Sequence, residues 1–279
     1  MVIAIASGKG GTGKTTVATS LALAIRNAQL IDCDVEEPNA HIFLDLERTR
    51  SETVSIPVPE IDHSKCDFCG RCAEICAYNA LAVLKDKVLV FPHLCHGCGG
   101  CTLLCPREAI TETPREIGAI ECGRSGDLEF CRGILNVGEI MAPPLIRAVK
   151  KKIEPGKTVI IDAPPGTSCP VIAAVQYSDY CILVTEPTPF GLNDLVLAVE
   201  VVRKLGMPFG VVLNRAGSGD DEVERYCHRE NIPVLMRIPF DREIAVAYSR
   251  GVALISAQPK HTRSFTEMLE IIGEAIDAS

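Results

Sequence analysis

Eight cysteines of this chain fall into two matching runs, Cys66-x2-Cys69-x2-Cys72-x3-Cys76 and Cys95-x2-Cys98-x2-Cys101-x3-Cys105-Pro106. Thiolates at that spacing wrap four-iron cubanes: three cysteines take successive corners, and the fourth, starting a helix that points it elsewhere, serves the other cluster. The runs predict two 4Fe-4S clusters, the first held by Cys66, Cys69, Cys72 and Cys105, the second by Cys95, Cys98, Cys101 and Cys76. Paired CxxC also reads as a zinc ribbon; two complete four-cysteine runs outweigh that reading. The first run ends Cys76-Ala77 where the pattern usually has proline. His96, inside the second run, is either a plain loop residue or a hydrogen-bonding partner of its cluster.

A second chemistry opens the chain. Glycines 8, 10, 11 and 13 stand in the stretch GKGGTGKT, between an apolar strand pattern and a helix pattern. Backbone N–H groups of such a loop surround phosphate oxygens at the positive end of the helix. Gly10, Gly11, Thr12, Gly13, Lys14, Thr15 and Thr16 form the phosphate side of an expected ATP site, with Lys14 reaching the β- and γ-phosphates and the Thr15 hydroxyl on Mg²⁺. Gly8-x-Gly10-x-x-Gly13 followed by Asp32 also satisfies a dinucleotide fingerprint. Gly13-Lys14-Thr15 together with Asp162, a strand-end acid suited to hold Mg²⁺ through water, favours the triphosphate.

Stepping from Val2–Ala6 through Gln29–Asp32, Thr158–Asp162, Tyr180–Thr185, Phe209–Asn214 and Val234–Ile238, short apolar runs alternate with helix patterns at Thr15–Arg26, Pro144–Lys152, Pro170–Ala174, Leu192–Leu205, Asp221–Glu230, Arg242–Ser249 and Arg263–Ala278. Runs apolar on both faces are expected of parallel strands covered by helices, so the fold class is α/β with a parallel sheet. The two cysteine halves interrupt this rhythm as an internal repeat. With Ile56-Pro57-Val58-Pro59 and Thr113-Pro114 read as seams, residues 1–60 and 114–279 form the large discontinuous domain and 61–113 a small inserted α+β module of bacterial ferredoxin type.

The loop Lys9-Gly10-Gly11-Thr12-Gly13-Lys14-Thr15 resembles the deviant Walker A of the MinD/ParA/Mrp and nitrogenase iron-protein class of P-loop ATPases. With the ferredoxin-like insertion, the chain is similar to the MinD-superfamily ATPases containing a ferredoxin domain. The resemblance implies slow Mg-dependent ATP hydrolysis in an ATP-sandwiched homodimer, with Lys9 reaching across to the partner's nucleotide. It also implies that Asp34, of Asp32-Cys33-Asp34, positions the attacking water, and that Thr15, Asp34 and Asp162 form the magnesium side. Asn214-Arg215 corresponds to the base-binding turn, and an amide that donates and accepts suits adenine. Pro239-Phe240-Asp241 is either the wall of the base pocket or a plain strand-to-helix turn. Asp32 is either a second magnesium acid or a cap for neighbouring backbone. Cys169, seven residues after Asp162, lies where the iron protein places a cysteine that bridges a cluster across its dimer axis, with Cys131 or Cys122 as the second ligand of each subunit. Cys181 and Cys227 read as small buried hydrophobes.

The 279 residues, 47% hydrophobic, suffice for a buried core. A net charge of -8 and no basic run longer than Lys150-Lys151-Lys152 argue against nucleic acid and anionic lipid as partners. No apolar stretch reaches the roughly 18 residues of a membrane span, and Met1 leads straight into the phosphate loop, so a reducing cytoplasm is expected. The C-terminal stretch is acidic and lacks a basic amphipathic face, which weakens a MinD-like positioning role. The leading expectation is an ATPase whose nucleotide-driven dimerisation gates electron transfer, or cluster delivery, to a redox or metallocofactor-assembly protein. The alternative is a non-redox cluster carrier in which ATP sets affinity.

Overall fold

A computed structural model describes residues 1–219 and 221–278. Its centre is a sheet of nine strands in the order β11-β10-β9-β1-β8-β2-β7-β6-β3. The strands are β1 (Val2–Ala6), β2 (Ala28–Asp32), β3 (Glu47–Ile61), β6 (Ile110–Ser125), β7 (Leu128–Leu135), β8 (Thr158–Asp162), β9 (Tyr180–Thr185), β10 (Phe209–Ala216) and β11 (Val234–Pro239). A separate hairpin is made by β4 (Leu81–Val83) and β5 (Val88–Val90). The helices are α1 (Lys14–Ala24), α2 (Arg71–Ile75), α3 (Gly100–Leu103), α4 (Ala142–Lys150), α5 (Cys169–Val175), α6 (Pro189–Lys204), α7 (Glu222–Arg229), α8 (Arg242–Ser249), α9 (Leu254–Ala257) and α10 (Thr262–Asp277).

Strand side chains alternate between two cores, as the pleat requires. Ala4, Ala6, Val159 and Ile161 face the layer of α4, α5, α6 and α7, whereas Ile3, Ile5 and Ile160 face α1, α9 and α10. On α10 the apolar face of Phe265, Met268 and Ile272 is spent on the second core. No described helix is long and apolar enough to cross a membrane.

The six expected strands pair in parallel, so the sheet is parallel-dominated as expected, with antiparallel strands added at one edge. β7 continues the parallel set beside β2, then β6 and β3 add antiparallel strands that form a long ribbon. The prolines expected at seams lie inside this ribbon, where Pro57 is the partner of Pro114. Neither proline can donate an N–H, so they tolerate facing each other in a pair that exchanges none. β3 is an edge strand, and this part of β6 has β3 as its only ladder partner among the described residues. From Ile61 to Ile110, at the ribbon's tip, the chain makes α2, the β4–β5 hairpin and α3 before returning.

Candidate functional site

The loop between β1 and α1 is shaped by what glycine permits. Gly13 has φ 96°, and a Cβ there would lie 2.2 Å from Asn214 Nδ2, so the residue before Lys14 has neither the conformation nor the space for a side chain. Asn214 donates that nitrogen to the Thr12 carbonyl at 2.8 Å, tying the phosphate loop to the end of β10, and its Oδ1 accepts the Arg215 N–H. One donor hydrogen and an acceptor lone pair of the amide are left over by these two bonds.

A cavity of about 370 Å³ opens over this loop. Gly10, Gly11, Gly13, Lys14, Thr15 and Thr16 line one side; Asp34 and Pro165 follow β2 and β8; Asn214, Arg215, Pro239 and Asp241 close the far side. Tyr248 of α8, together with Glu37 and Asn39, also lines it and was not foreseen. Tyr248 contacts the Phe43 ring, so α8 packs on the segment that follows Asp34. Thr12 is buried, and its hydroxyl has no hydrogen-bond partner among the described residues.

Three acids and one lysine meet where the parallel strands end. Asp32 is fully buried and accepts the N–H groups of Asp34 (3.1 Å) and Ala40 (3.0 Å), which is the capping role. Burial and the neighbouring Asp162 charge push its carboxyl well up. Asp34 is pushed up to about 6 by burial, against the pull of Lys14. Asp162 is 1% exposed, and neither carboxylate oxygen has a hydrogen-bond partner among the described residues. Burial pushes it up to about 7; the Thr15 hydroxyl, close by but not in hydrogen-bonding geometry, and Lys14 oppose the shift. Burial lowers the Lys14 ammonium, and Asp162, Asp34 and Asp32 counteract this. An orphaned buried carboxylate behind the Thr15 hydroxyl is the donor set a hard divalent cation takes, so Mg²⁺ fits here.

Lys9 lies outside the lining of this cavity. Its ammonium is held by Glu186, at the end of β9, whose other oxygen accepts from Arg215 at 2.7 Å. Sequence reasoning missed Glu186. Its only signal is that β9 turns out to neighbour β1, and strand order is not written in spacing.

The cysteines form two sets. Cys66, Cys69, Cys72 and Cys105 line one cavity with Val83 and Val88; Cys76, Cys95, Cys98 and Cys101 line another with Tyr78, Pro57, Pro59 and Glu112. The halves repeat in detail. Phe68 and Gly97 donate N–H to Cys66 and Cys95 Sγ, both at 3.4 Å, while Ala80 and Ala109 donate to Cys76 and Cys105 Sγ at 3.2 and 3.3 Å. N–H donors favour a sulfur in its thiolate form, so the donor chemistry fits cluster ligation. No group of three or more His, Cys, Asp or Glu among the described residues converges closely enough to hold a single ion; each set stands around a space. His96 stacks on Tyr78, ring centroids 3.3 Å apart.

Cys122 and Cys131 are directly opposed on β6 and β7 and are joined as a disulfide. This corrects their pairing with Cys169, because bonded sulfurs have no thiolate to offer a metal. Cys169 is exposed at the start of α5. Cys181 and Cys227 are buried, their thiols pushed up to about 12 and about 11 chiefly by burial, as suits packing residues. Burial likewise raises the Cys33 thiol.

Residues 3–255 match the family model for the CobQ/CobB/MinD/ParA nucleotide binding domain. An uncharacterized protein of Methanocaldococcus jannaschii is 33% identical over 261 residues, 91% of each chain. An iron-sulfur cluster carrier protein of Pyrococcus horikoshii is 24% identical, over 96% of this chain and 84% of that one. Among solved structures, the cell division ATPase MinD of Pyrococcus furiosus superposes with a TM-score of 0.61 at 21% identity over 98% of both chains. The septum site-determining protein MinD of Pyrococcus horikoshii, complexed with Mg-ADP, gives 0.59 at 20% identity over 97% and 95%. These structural likenesses speak for the fold.

Proposed function

The chain belongs to the CobQ/CobB/MinD/ParA nucleotide-binding family, and from that premise we propose an ATP-hydrolysing iron-sulfur protein in which nucleotide state controls a ferredoxin-like module. Residues 61–113 are that module, inserted into an ATPase domain of residues 1–60 and 114–279. Its two cysteine sets hold two 4Fe-4S clusters, which supply one-electron transfer when bound.

The observation that carries this reading is a short backbone path from the acidic segment to the second cysteine cavity. The N–H of Leu135 donates to the carbonyl of Val35, the residue after Asp34, at 2.8 Å, and the N–H of Asn136 donates to Ile117 O at 2.9 Å. From Ile117 the same strand, β6, runs back to Glu112, which lines the second cavity with Pro57 and Pro59 of its partner β3. A displacement of Asp34 on sensing a γ-phosphate would be delivered to that wall through a rigid element.

At the nucleotide, Lys14 draws charge off the β- and γ-phosphates, Thr15 and Asp162 hold Mg²⁺, and Asp34 orients the attacking water. Asn214, Arg215, Pro239 and Asp241 take the base side. Two copies sandwich ATP, with Lys9 contributed across the interface. The client is a redox or metallocofactor-assembly protein.

A second reading, a carrier whose clusters are cargo, is favoured by the relative named an iron-sulfur cluster carrier and by the exposure of Cys69 and Cys98. Anaerobic redox titration with and without Mg-ATP, beside transfer of iron to an apo-ferredoxin, separates the two. A nucleotide-dependent potential with iron retained supports gating. An unchanged potential with iron lost to the acceptor supports the carrier and overturns gating.

A further inference from the structure

Glu186 has a position that neither the ATP site nor the cysteine sets explain. It is 8% exposed, and β9 delivers it beside the phosphate loop because β9 is the hydrogen-bonded neighbour of β1. Its two oxygens are divided between two cations from different parts of the site: Lys9, the first lysine of the loop, and Arg215, at the base-side turn. Arg215 stands at φ 56°, in the left-handed region, and its second guanidinium nitrogen donates to Gly11 O at 3.3 Å. Among the described residues the Lys9 ammonium, by contrast, has Glu186 as its one hydrogen-bond partner, and Lys9 is not one of the residues that line the cavity beside it.

A buried carboxylate deprived of its counter-charge is strongly disfavoured, so an ordinary ion pair of this kind resists opening. Two cations on one carboxylate change that balance. If Lys9 leaves, Arg215 still compensates Glu186, and the ammonium becomes available to another anion at modest cost.

We propose that Glu186 is a positioning residue: it holds Lys9 out of its own nucleotide cavity and releases it to the polyphosphate of a second copy of this chain, with Arg215 keeping the carboxylate paired. The release step rests on the dimer reading above; the holding step does not. Phosphate charge arriving from the partner competes with Glu186 for one ammonium, so the strength of the Glu186 contact sets the threshold for association.

The two steps are tested separately on full-length, cluster-loaded protein. Without nucleotide, acetylation of Lys9 by an N-hydroxysuccinimide ester is followed by peptide mass spectrometry, with Lys151 as the internal reference. Relative to that reference, Glu186→Gln is expected to label at Lys9 about tenfold faster than wild type, as loss of one charge-assisted contact implies. Glu186→Asp, which keeps the charge but is one methylene too short to span both cations, is expected to fall between. Arg215→Gln is expected to label no faster than wild type. Equal Lys9 rates in wild type and Glu186→Gln would overturn the proposal.

With Mg²⁺ and a non-hydrolysable ATP analogue, sedimentation velocity is expected to show Glu186→Gln self-associating at about tenfold lower protein concentration. That gain is expected to disappear in Lys9→Ala/Glu186→Gln. A gain that survives without Lys9 overturns the release step. Wild type that stays monomeric with the analogue overturns the dimer reading, while the labelling result still decides the clamp.

Discussion

Replacing Asp162 by asparagine should make the magnesium-free protein more stable as the solution becomes more alkaline, relative to wild type. The Asp162 carboxyl is pushed from 3.8 up to about 7 by burial. Between those values the folded protein retains a proton that the unfolded chain has released, so each pH unit shifts the folding equilibrium about tenfold toward unfolding. The full span amounts to about 4 kcal/mol, and the part between roughly pH 5.5 and 7 to about 2 kcal/mol. Asparagine leaves a buried amide in the same place, so the pH-independent part of its effect has either sign; the pH-dependent part reports the Asp162 charge together with its repulsion of Asp32 and Asp34, which the substitution relieves in the same direction. Urea unfolding of wild type and Asp162→Asn, without magnesium or nucleotide, should give a stability difference that moves by about 2 kcal/mol in the variant's favour across that interval and is flat above it. Mg-ATP should then stabilise wild type and leave the variant nearly unchanged. A difference that does not vary with pH, or that grows in favour of wild type as pH rises, would refute the assignment of Asp162 as a carboxylate kept buried for a cation.

Three further outcomes follow from particular contacts. Gly13→Ala, with φ 96° and a Cβ 2.2 Å from Asn214 Nδ2, should weaken nucleotide binding in calorimetry about thirtyfold or more, through strain and loss of the Asn214 bond to Thr12; unchanged affinity would contradict the loop geometry. Cys105→Ala should abolish the electron paramagnetic resonance signal of the cluster shared with Cys66, Cys69 and Cys72 and spare the other, and Cys76→Ala should do the reverse; loss confined to the mutated cysteine's own run would refute cross-ligation. Lys150, whose ammonium donates to the carbonyls of Ala173, Ala174 and Gln176 at 3.3, 2.6 and 2.6 Å, holds the C-terminal end of α5, so Lys150→Met should cost about 2 kcal/mol in chemical denaturation.

Elements carried by local pattern were legible in the amino-acid sequence. Tyr180–Thr185 is apolar on both faces and lies inside the sheet, between β10 and β1, while Phe265, Met268 and Ile272 recur at helical spacing and lie on one buried face. The ribbon was not legible. Glu47 to Ser55 is charged and mostly exposed, as an edge strand is, and the prolines that follow look like breaks when their partner strand is unknown. Partnerships that depend on register or strand order were equally hidden. Cys122 meets Cys131 because a tight turn aligns β6 with β7, and Glu186 meets Lys9 because β9 enters the sheet beside β1. The cysteine sets needed no such knowledge, since two identical spacings imply two similar local folds, and the four N–H to sulfur bonds recur at the same offsets in each half.

Coupling between the nucleotide loop and the cysteine cavities, as proposed, runs through β7 and the β3–β6 ribbon. Amide hydrogen exchange, with and without Mg²⁺ and a non-hydrolysable ATP analogue, tests it on the peptides covering residues 110–118 and 56–61. The nucleotide is expected to change exchange in both, continuously with the change at residues 34–36 and 133–136, and Lys14→Ala to abolish all of it. Protection that appears around the phosphate loop and ends at Asn136, leaving the ribbon as it was, would contradict it.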